Sequence, residues 1–456
     1  MHCVHDPSHI TSLVGPSSPH FVMNSAFVAE NLAAALLLGE WTGRGLLDSA
    51  LRVVRYREPW LHRFLRRLRR AFPEPPARQE FRALVDWISN DRGFLNRSLD
   101  GVFEFVSLTP AMSQSRWPVP QLATVGTLAQ WLELTPRELD WFADGQGREA
   151  VQPRGPLRHY VYKAIPKRGG RLRLIESPKS RLKAIQRRIL DQILSVIPAH
   201  DAAHGFCRGR SVVTYAAAHA NKDVVLRLDL ADFFPSVPAS RVHAIFCTAG
   251  YPKDVARMLT GICTNVTPRD ELPESFGADN RGWTLLQRLL SPHLPQGAPT
   301  SPALANLSAY RLDLRLSALA QASGIAFTRY ADDLAFSGDE EFARGVLRFY
   351  EKACQIVIEE GFAVRPAKTR IMRRGVRQQL AGVVVNVRPN APRGEYDRLK
   401  AILTNCSRHG VGSQNREKHP SFREHLLGRI TWLTSLHPER GKKLRARFDR
   451  IDWNGG

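Results

Sequence analysis

Two adjacent carboxylates, Asp332 and Asp333, lie between the apolar stretches 325–327 and 334–336. This pattern predicts a strand, a tight turn and a second strand. Because successive side chains on a strand point to opposite faces, the two carboxylates should point in different directions. One of them could then bind a cation while the other supports the site from behind.

A further carboxylate, Asp229, lies in the apolar stretch 224–230 and precedes the aromatic pair Phe233 and Phe234. Strand-borne acids that are distant in sequence suit a site for two Mg²⁺ ions, because Mg²⁺ prefers oxygen ligands. Such ions can hold the attacking and leaving oxygens of an in-line phosphoryl transfer. A polar turn with solvated aspartates is the alternative for the Asp-Asp pair taken alone, and the segments described next argue against it.

A predicted hairpin, with strands at 160–167 and 171–175, carries Lys167, Arg171 and Arg173. Arginine offers a two-pronged donor and lysine a point charge, so the hairpin is suited to holding a triphosphate. Basic residues also protect exposed sheet edges from aggregation, which is the alternative explanation.

The loop 294–302 places Gln296 and Gly297 before a helix predicted at 303–319, and its glycine and prolines favour a close backbone approach. The loop could present Gln296 beneath a nucleotide base pair, or it could be an ordinary turn and helix cap. Further along the chain, Lys368 could protonate a leaving pyrophosphate. Taken singly, such a lysine is more often a plain surface residue.

The composition favours a polyanionic partner. Lysine and arginine total 65 in 456 residues, against 43 aspartates and glutamates, which gives a formal net charge of +22. Such an excess favours nucleic acid through counterion release. An anionic membrane surface, or solubility alone, would also account for it.

Cysteine spacing and hydropathy indicate the cellular compartment of the protein. Six cysteines are scattered without a C-x-x-C pair, which predicts reduced thiols rather than a disulfide framework or a zinc site. The longest apolar run, 32–38, is too short to cross a bilayer, and the first residues lack the pattern of a signal peptide. We therefore expect a cytoplasmic protein with no membrane partner.

The N-terminal part is predicted to be disordered at 1–25 and to form a helical extension at 26–150. Within it, the apolar positions of the stretch 60–68 share one face of an amphipathic helix. Arginines cover the rest of that helix and could contact RNA, although an ordinary solvated face explains them equally well. These arginines are Arg63, Arg66, Arg67, Arg69 and Arg70.

Together and in this order, these segments resemble the reverse transcriptases, in particular the branch of bacterial retrons and group II introns. The resemblance extends from about Tyr160 to Asn386. Five motifs in the family's order are far more specific than any single one. The motifs lie at 165–173, 229–234, 294–302, 330–333 and 368–369.

The resemblance implies an α+β fold of the right-hand polymerase type, with fingers, a palm built on an antiparallel sheet, and a helical thumb. It assigns residues 151–386 to fingers and palm and residues 387–456 to a basic helical thumb. The N-terminal helical extension precedes this core.

The resemblance also implies roles at the metal site. Asp229 and Asp332 would hold two catalytic Mg²⁺ ions, with Mn²⁺ as an alternative, and the Leu230 carbonyl would complete one metal site. Asp333 would support the site closely as a further acidic ligand residue. Lys368 would act as the general acid.

The remaining family positions would contact the incoming nucleotide. Phe234 is similar to the aromatic gate that collides with a ribonucleotide 2′-OH and so selects dNTPs. Gln296 and Gly297 would form the floor of the nucleotide pocket. Lys167 and Arg173 would hold the triphosphate.

The implied function is RNA-directed DNA synthesis, in which a primer hydroxyl attacks a dNTP and pyrophosphate leaves. The implied partners are an RNA template, an RNA/DNA primer duplex and dNTPs. For the retron branch, a structured non-coding RNA and an effector protein in phage defence are added. One alternative is a defence-associated reverse transcriptase without a retron RNA. Another is an RNA-binding scaffold with a vestigial polymerase core, against which the repulsion within a retained carboxylate cluster argues.

Two positions depart from the retron pattern. The segment 204–219 resembles the retron insertion between fingers and palm, but Tyr215 stands where that motif usually opens with Asn. Leu380-Ala381-Gly382 replaces the retron triplet Val-Thr-Gly. Both positions distinguish retrons from their relatives, so recognition of a retron RNA stays open, whereas the core chemistry is untouched.

Overall fold

The computed structural model describes residues 25–37, 40–51, 53–54, 59–77, 80–99, 112–166, 172–277 and 279–453. Its contacts divide the chain into two units, Met1–Thr109 and Pro110–Gly456. The disorder predicted for 1–25 concerns residues outside this description, apart from Ser25, where the first helix begins.

The first unit is helical, as the sequence predicted for this part of the chain. Its core is formed by apolar side chains such as Leu32, Leu46, Phe64 and Ile88, all fully buried. The helices are α1 (Ser25–Leu37), α2 (Gly43–Ala50), α3 (Pro59–Ala71), α4 (Phe81–Asn90) and α5 (Arg92–Leu99).

The second unit begins earlier than the extension predicted at 26–150 would allow. Helices α6 (Val125–Trp131) and α7 (Pro136–Ala143) bury Leu128 and Leu139 in the same apolar cluster as Leu226 of the central sheet. Apolar side chains join whichever core removes them from water, so residues 112–150 pack with the second unit. The predicted boundaries between fingers, palm and thumb stay predictions.

A four-stranded antiparallel sheet lies at the centre of the second unit. Its strands are β3 (Val224–Asp229), β4 (Ala326–Tyr330), β5 (Asp333–Gly338) and β6 (Arg370–Arg373), and they lie in the order β4-β5-β3-β6. Helix α15 (Glu340–Glu359) packs against β3 and β5. This arrangement of strands and flanking helices confirms the predicted α+β class.

The predicted basic hairpin is confirmed as an antiparallel pair of strands, and the helix after it ends at Gln192. Its turn, 167–171, lies outside the described residues. The helix predicted at 303–319 was wrong in its bounds, because the chain breaks at Ala309 into two helices. These elements are β1 (Tyr160–Pro166), β2 (Leu172–Pro178), α8 (Ser180–Gln192), α9 (Val212–Ala217), α10 (Ala239–Thr248), α11 (Lys253–Cys263), α12 (Asn280–Leu289), α13 (Ser301–Ser308) and α14 (Tyr310–Ala322).

The C-terminal part is helical, as predicted, after a short pair of strands. Leu403, Leu433 and Leu444 belong to a separate apolar cluster that joins its three helices. No helix in the described ranges is long and apolar enough to cross a membrane. The elements are β7 (Gln379–Leu380), β8 (Val383–Val384), α16 (Arg393–His409), α17 (Phe422–Leu436) and α18 (Pro438–Phe448).

Candidate active site

The turn between β4 and β5 brings the predicted carboxylates together at one end of the inner strands β3 and β5. Asp229 at the end of β3 lies opposite Asp333 at the start of β5, and Asp332 lies in the turn. The Leu230 amide donates a hydrogen bond to the Asp332 carbonyl at 2.8 Å. Ala331 adopts a left-handed conformation, with φ of 55°, which reverses the chain within two residues.

Asp229 places a buried carboxylate next to this turn. Its side chain is almost fully buried, and Lys368 Nζ donates a hydrogen bond to Oδ1 at 2.6 Å. The other oxygen, Oδ2, has no hydrogen-bond partner in the described part of the chain, and Arg365 Nε lies 3.7 Å from it. Burial, and then the negative charge of Asp229, raise the pKa of Asp332. The two carboxylates therefore repel each other and favour a bound cation.

The donors present fit a hard divalent cation. A buried carboxylate oxygen without a partner and a second carboxylate beside it are oxygen ligands of the kind that Mg²⁺ prefers. Within the described ranges, no group of three or more His, Cys, Asp or Glu side chains could hold a metal ion. Asp229 and Asp332 remain the predicted side-chain ligands, with the Leu230 carbonyl as the predicted backbone ligand.

Asp333 has a different partner from its neighbour in the turn. Arg227 of β3 donates to Asp333 Oδ1 from Nε and Nη2, at 3.0 and 2.7 Å, and from Nη2 to Oδ2 at 3.0 Å. Burial raises the pKa of Asp333, although the Arg227 guanidinium opposes this shift. Because both carboxylate oxygens are engaged, the geometry favours a supporting role for Asp333.

A cleft of about 220 Å³ opens beside the turn. It brings together predicted site residues from five separate segments of the sequence. Strand β2, the loop before α13 and the segment before β6 all contribute side chains to its wall. The predicted residues among its lining are Arg173, Phe234, Gln296, Asp332 and Lys368.

Phe234 forms one aromatic wall of the cleft with Phe206, whose ring centre is 6.1 Å away. Phe206 is 52% exposed, which is unusual for a large apolar side chain beside a polar site. The preceding Gly205 packs directly on the turn, since a Cβ there would lie 2.6 Å from the Ala331 nitrogen. Only glycine permits this approach, and it places Phe206 at the cleft.

The loop that carries Gln296 is held against strand β2. The Glu176 amide donates to the Gln296 carbonyl at 2.9 Å. Gly297 has φ of 141°, and a Cβ there would lie 2.8 Å from the Glu176 carbonyl oxygen. Gly297 thus serves the close approach of loop and strand, whereas Gln296 itself lines the cleft. Lys167, the other predicted triphosphate ligand, lies outside the described residues.

Sequence reasoning missed a second ion pair in the cleft. Arg365 Nη2 donates to Asp232 Oδ1 at 3.0 Å, and both residues line the cleft. The available signal was a second acidic residue, Asp232, in the same motif as Asp229, because such a residue often has a basic partner. Arg365 lies three residues before Lys368, and the same segment therefore contributes both residues to the cleft.

Sequence reasoning also missed a buried ion pair that fixes the turn. Arg329 and Asp313 are both fully buried, and Arg329 donates to the two Asp313 oxygens at 2.7 and 2.6 Å. Arg329 also donates to the Ala331 carbonyl at 3.0 Å. The available signal was an arginine inside an apolar strand, because a buried charge requires a partner.

Comparison with known proteins identifies the family. The family model described as reverse transcriptase (RNA-dependent DNA polymerase) matches residues 165–396. Retron Mx65 reverse transcriptase of Myxococcus xanthus is 43% identical over 303 residues, covering 65% of this chain and 66% of the relative. Retron Mx162 reverse transcriptase of the same organism is 36% identical over 347 residues, covering 73% of this chain and 68% of the relative.

A solved structure of a foamy viral protease-reverse transcriptase in complex with double-stranded DNA also matches, at 14% identity and a TM-score of 0.32, covering 83% of this chain and 58% of that one. A similarity this low adds no argument. The chain spans about two thirds of the length of the two Myxococcus relatives. The family match, the central antiparallel sheet and its flanking helices agree on the right-hand polymerase fold. The chain belongs to the reverse transcriptases, the RNA-directed DNA polymerases, and within them to the bacterial retron type.

Proposed function

We propose that this chain extends a primer hydroxyl with dNTPs on an RNA template at the Asp229–Asp332 site. The observation that carries the proposal is that Asp332 lines a cleft together with Arg173, Phe234 and Gln296, and that the negative charge of the buried Asp229 acts on Asp332. Carboxylates alone would fit many metal sites. A positive side chain, an aromatic wall and an amide at the same cleft suit a nucleoside triphosphate.

The residues of the site divide the work of the reaction. Asp229, Asp332 and the Leu230 carbonyl would hold divalent cations, and Mg²⁺ is the expected ion. When bound, these cations would lower the pKa of the primer hydroxyl and offset negative charge at the phosphate. Arg173 would hold the triphosphate through charge-assisted hydrogen bonds. Phe234 would exclude a ribose 2′-OH by contact.

Lys368 would act on the leaving group directly, whereas Asp333 would act through the position of the turn. Lys368 Nζ is paired with Asp229 at 2.6 Å, so it must leave that carboxylate before it can donate a proton to the departing pyrophosphate. Asp333 would fix the orientation of the turn through Arg227. Lys167 would add a second positive charge at the triphosphate, and Gln296 would support the base pair.

We further propose that the partner is a structured non-coding RNA of the retron kind, in a cytoplasmic system that defends against phage together with an effector protein. The similarity to two retron reverse transcriptases supports this proposal. The two departures from the retron pattern weigh less against it than their positions in sequence suggest. Tyr215 and Leu380 are fully buried in one apolar cluster, against which the partly buried Ala381 packs. The Tyr215 and Leu380 side chains therefore fill a core and form no RNA-facing surface.

The test is to purify the protein from cells that carry its native locus, treat it with RNase and examine the nucleic acid that remains. The retron proposal expects a discrete single-stranded DNA whose sequence maps beside the gene and which is joined to RNA before RNase treatment. The matched control is Asp332→Asn, which should yield no such DNA. Heterogeneous or homopolymeric DNA would favour instead the defence-associated alternative that uses no retron RNA.

A further inference from the structure

The first unit presents a helix, α3, whose charged side chains are all basic. Its apolar side chains Leu61, Phe64, Leu65 and Leu68 follow the helical period and are buried in the core of the unit. The opposite face is open to solvent. Its exposed basic residues are His62, Arg63, Arg66, Arg67, Arg69 and Arg70.

Most of this charge is not neutralised within the part of the chain that the structure describes. Arg67 forms an ion pair with Asp91 of the segment before α5, at 2.7 Å. Arg63, Arg66 and Arg70 stand three or four residues apart on the helix, a spacing at which like charges repel and weaken it. The helix thus retains a self-repulsion that an anionic partner would remove.

The basic surface continues onto the neighbouring helix α2. A guanidinium nitrogen of Arg69 lies 3.5 Å from the place that a Cβ of Gly43 would occupy. The next residue, Arg44, is exposed in the first turn of α2, where the helix dipole adds positive potential. Two helices therefore form one cationic surface, which we call the arginine face: Arg44, Arg63, Arg66, Arg69 and Arg70.

The burial of the apolar stripe argues against an inserted membrane helix. A basic amphipathic helix that inserts into a membrane places its apolar side in the lipid, but Leu61, Phe64 and Leu68 are fully buried in the protein core. Only the guanidinium groups remain for a partner. Their planar fork matches two phosphate oxygens at once, a geometry that lysine lacks.

We propose that the arginine face binds the phosphate backbone of RNA and gives the first unit an RNA-binding role of its own. Contacts to phosphates fix position and add affinity but carry no sequence information. Selectivity would therefore come from other parts of the complex. This role is separate from the polymerase cleft and does not depend on catalysis.

The experiment measures binding of the full-length protein to a labelled stem-loop RNA with single-stranded flanks, over a series of salt concentrations. The test variant replaces Arg63, Arg66, Arg69 and Arg70 with Gln. We expect affinity to fall about tenfold or more, and the slope of log affinity against log salt to fall by about 3, since each phosphate contact contributes about 0.7–0.9.

A matched control changes the same number of charges elsewhere. Four exposed arginines of the second unit are replaced with Gln: Arg137, Arg257, Arg344 and Arg348. This control should leave the slope unchanged. A further variant with Lys at the four test positions should keep the slope and lose only part of the affinity. Equal circular dichroism spectra and melting temperatures show that each variant is folded.

Three outcomes would overturn the proposal. The first is unchanged RNA affinity and slope in the folded Gln variant. The second is loss of binding to phosphatidylserine vesicles without loss of RNA binding, which would make the face a membrane contact. The third is loss of a copurifying protein with RNA binding intact, which would make it a protein-docking surface. Extension of a short RNA/DNA primer duplex, measured in parallel, tests the polymerase proposal separately.

Discussion

Glu176 and His293 form a buried ion pair, with Nε2 and Oε2 3.0 Å apart and each side chain 1% exposed. The pair joins strand β2 to the segment that leads into Gln296. Asn265 and Thr267 donate further hydrogen bonds to Glu176 Oε1, at 2.8 and 2.7 Å. The Glu176 amide also holds the loop that carries Gln296. The pair therefore fixes the distance between that loop and strand β2, which carries the predicted triphosphate ligand Arg173.

The first prediction concerns the pH dependence of stability. Burial opposes charge on both partners, but their mutual attraction prevails, so the pKa of Glu176 lies below its ordinary 4.5 and that of His293 above its ordinary 6.5. The contribution of Glu176 is present above 4.5 and lost as the pH falls through its lowered pKa. The contribution of His293 is present below 6.5 and lost as the pH rises through its raised pKa.

Glu176→Gln should therefore reduce the free energy of unfolding most near pH 5 to 6, by about 3–5 kcal/mol, and by less in alkaline solution. Denaturant titrations of both proteins at several pH values measure this. The double variant Glu176→Gln, His293→Gln should lose less than Glu176→Gln alone, because it leaves no buried charge unpaired. A loss that is the same at every pH would show that the shape of the side chains matters and their charge does not.

The second prediction separates the two acids of the turn. Asp332→Asn should abolish nucleotide incorporation and leave the fold intact, because it removes a proposed metal ligand without opening a cavity. Asp333→Asn should lower the rate only about 10–100-fold, the usual effect of losing a residue that supports a metal ligand. Single-turnover primer extension with Mg²⁺ measures both rates, and Asp229→Asn should match Asp332→Asn. Equal losses in the two turn variants would place Asp333 among the metal ligands.

The third prediction concerns the choice of sugar. Phe234→Ala should raise the ratio of ribonucleotide to deoxyribonucleotide incorporation on one template, because the gate acts by steric exclusion. Phe206→Ala is the matched control, since it removes the neighbouring aromatic ring of the same cleft. If only the control changes the ratio, Phe206 is the gate.

The sequence was sufficient to predict the turn between β4 and β5 and the hairpin, because each is formed by neighbouring residues with a strong alternation of apolar and polar positions. It could not predict the pairs Glu176–His293 and Arg329–Asp313. In the first pair the partners are more than a hundred residues apart, and in both the pairing depends on the packed core. The break at Ala309 and the inclusion of α6 in the second unit also depend on tertiary packing, which overrides local preference.

The fourth prediction concerns Tyr215, the first position that departs from the retron pattern. Its ring packs in a cluster with Val225, Ala335 and Leu380, and its hydroxyl has no hydrogen-bond partner in the described ranges. Tyr215→Phe should therefore change the free energy of unfolding by about 1 kcal/mol or less. Tyr215→Asn, which introduces the usual family residue, should cost about 3–5 kcal/mol, because it leaves a cavity and a buried amide.

Denaturant unfolding measures both Tyr215 variants, and the DNA that copurifies with each from cells carrying the native locus provides a second readout. A folded Tyr215→Phe protein should still carry the discrete DNA that the retron proposal expects. If Tyr215→Asn were as stable as the unchanged protein, position 215 would not be a core position. If Tyr215→Phe lost the DNA while remaining folded, the hydroxyl would have a role in RNA use, and the departure from the family pattern would be functional.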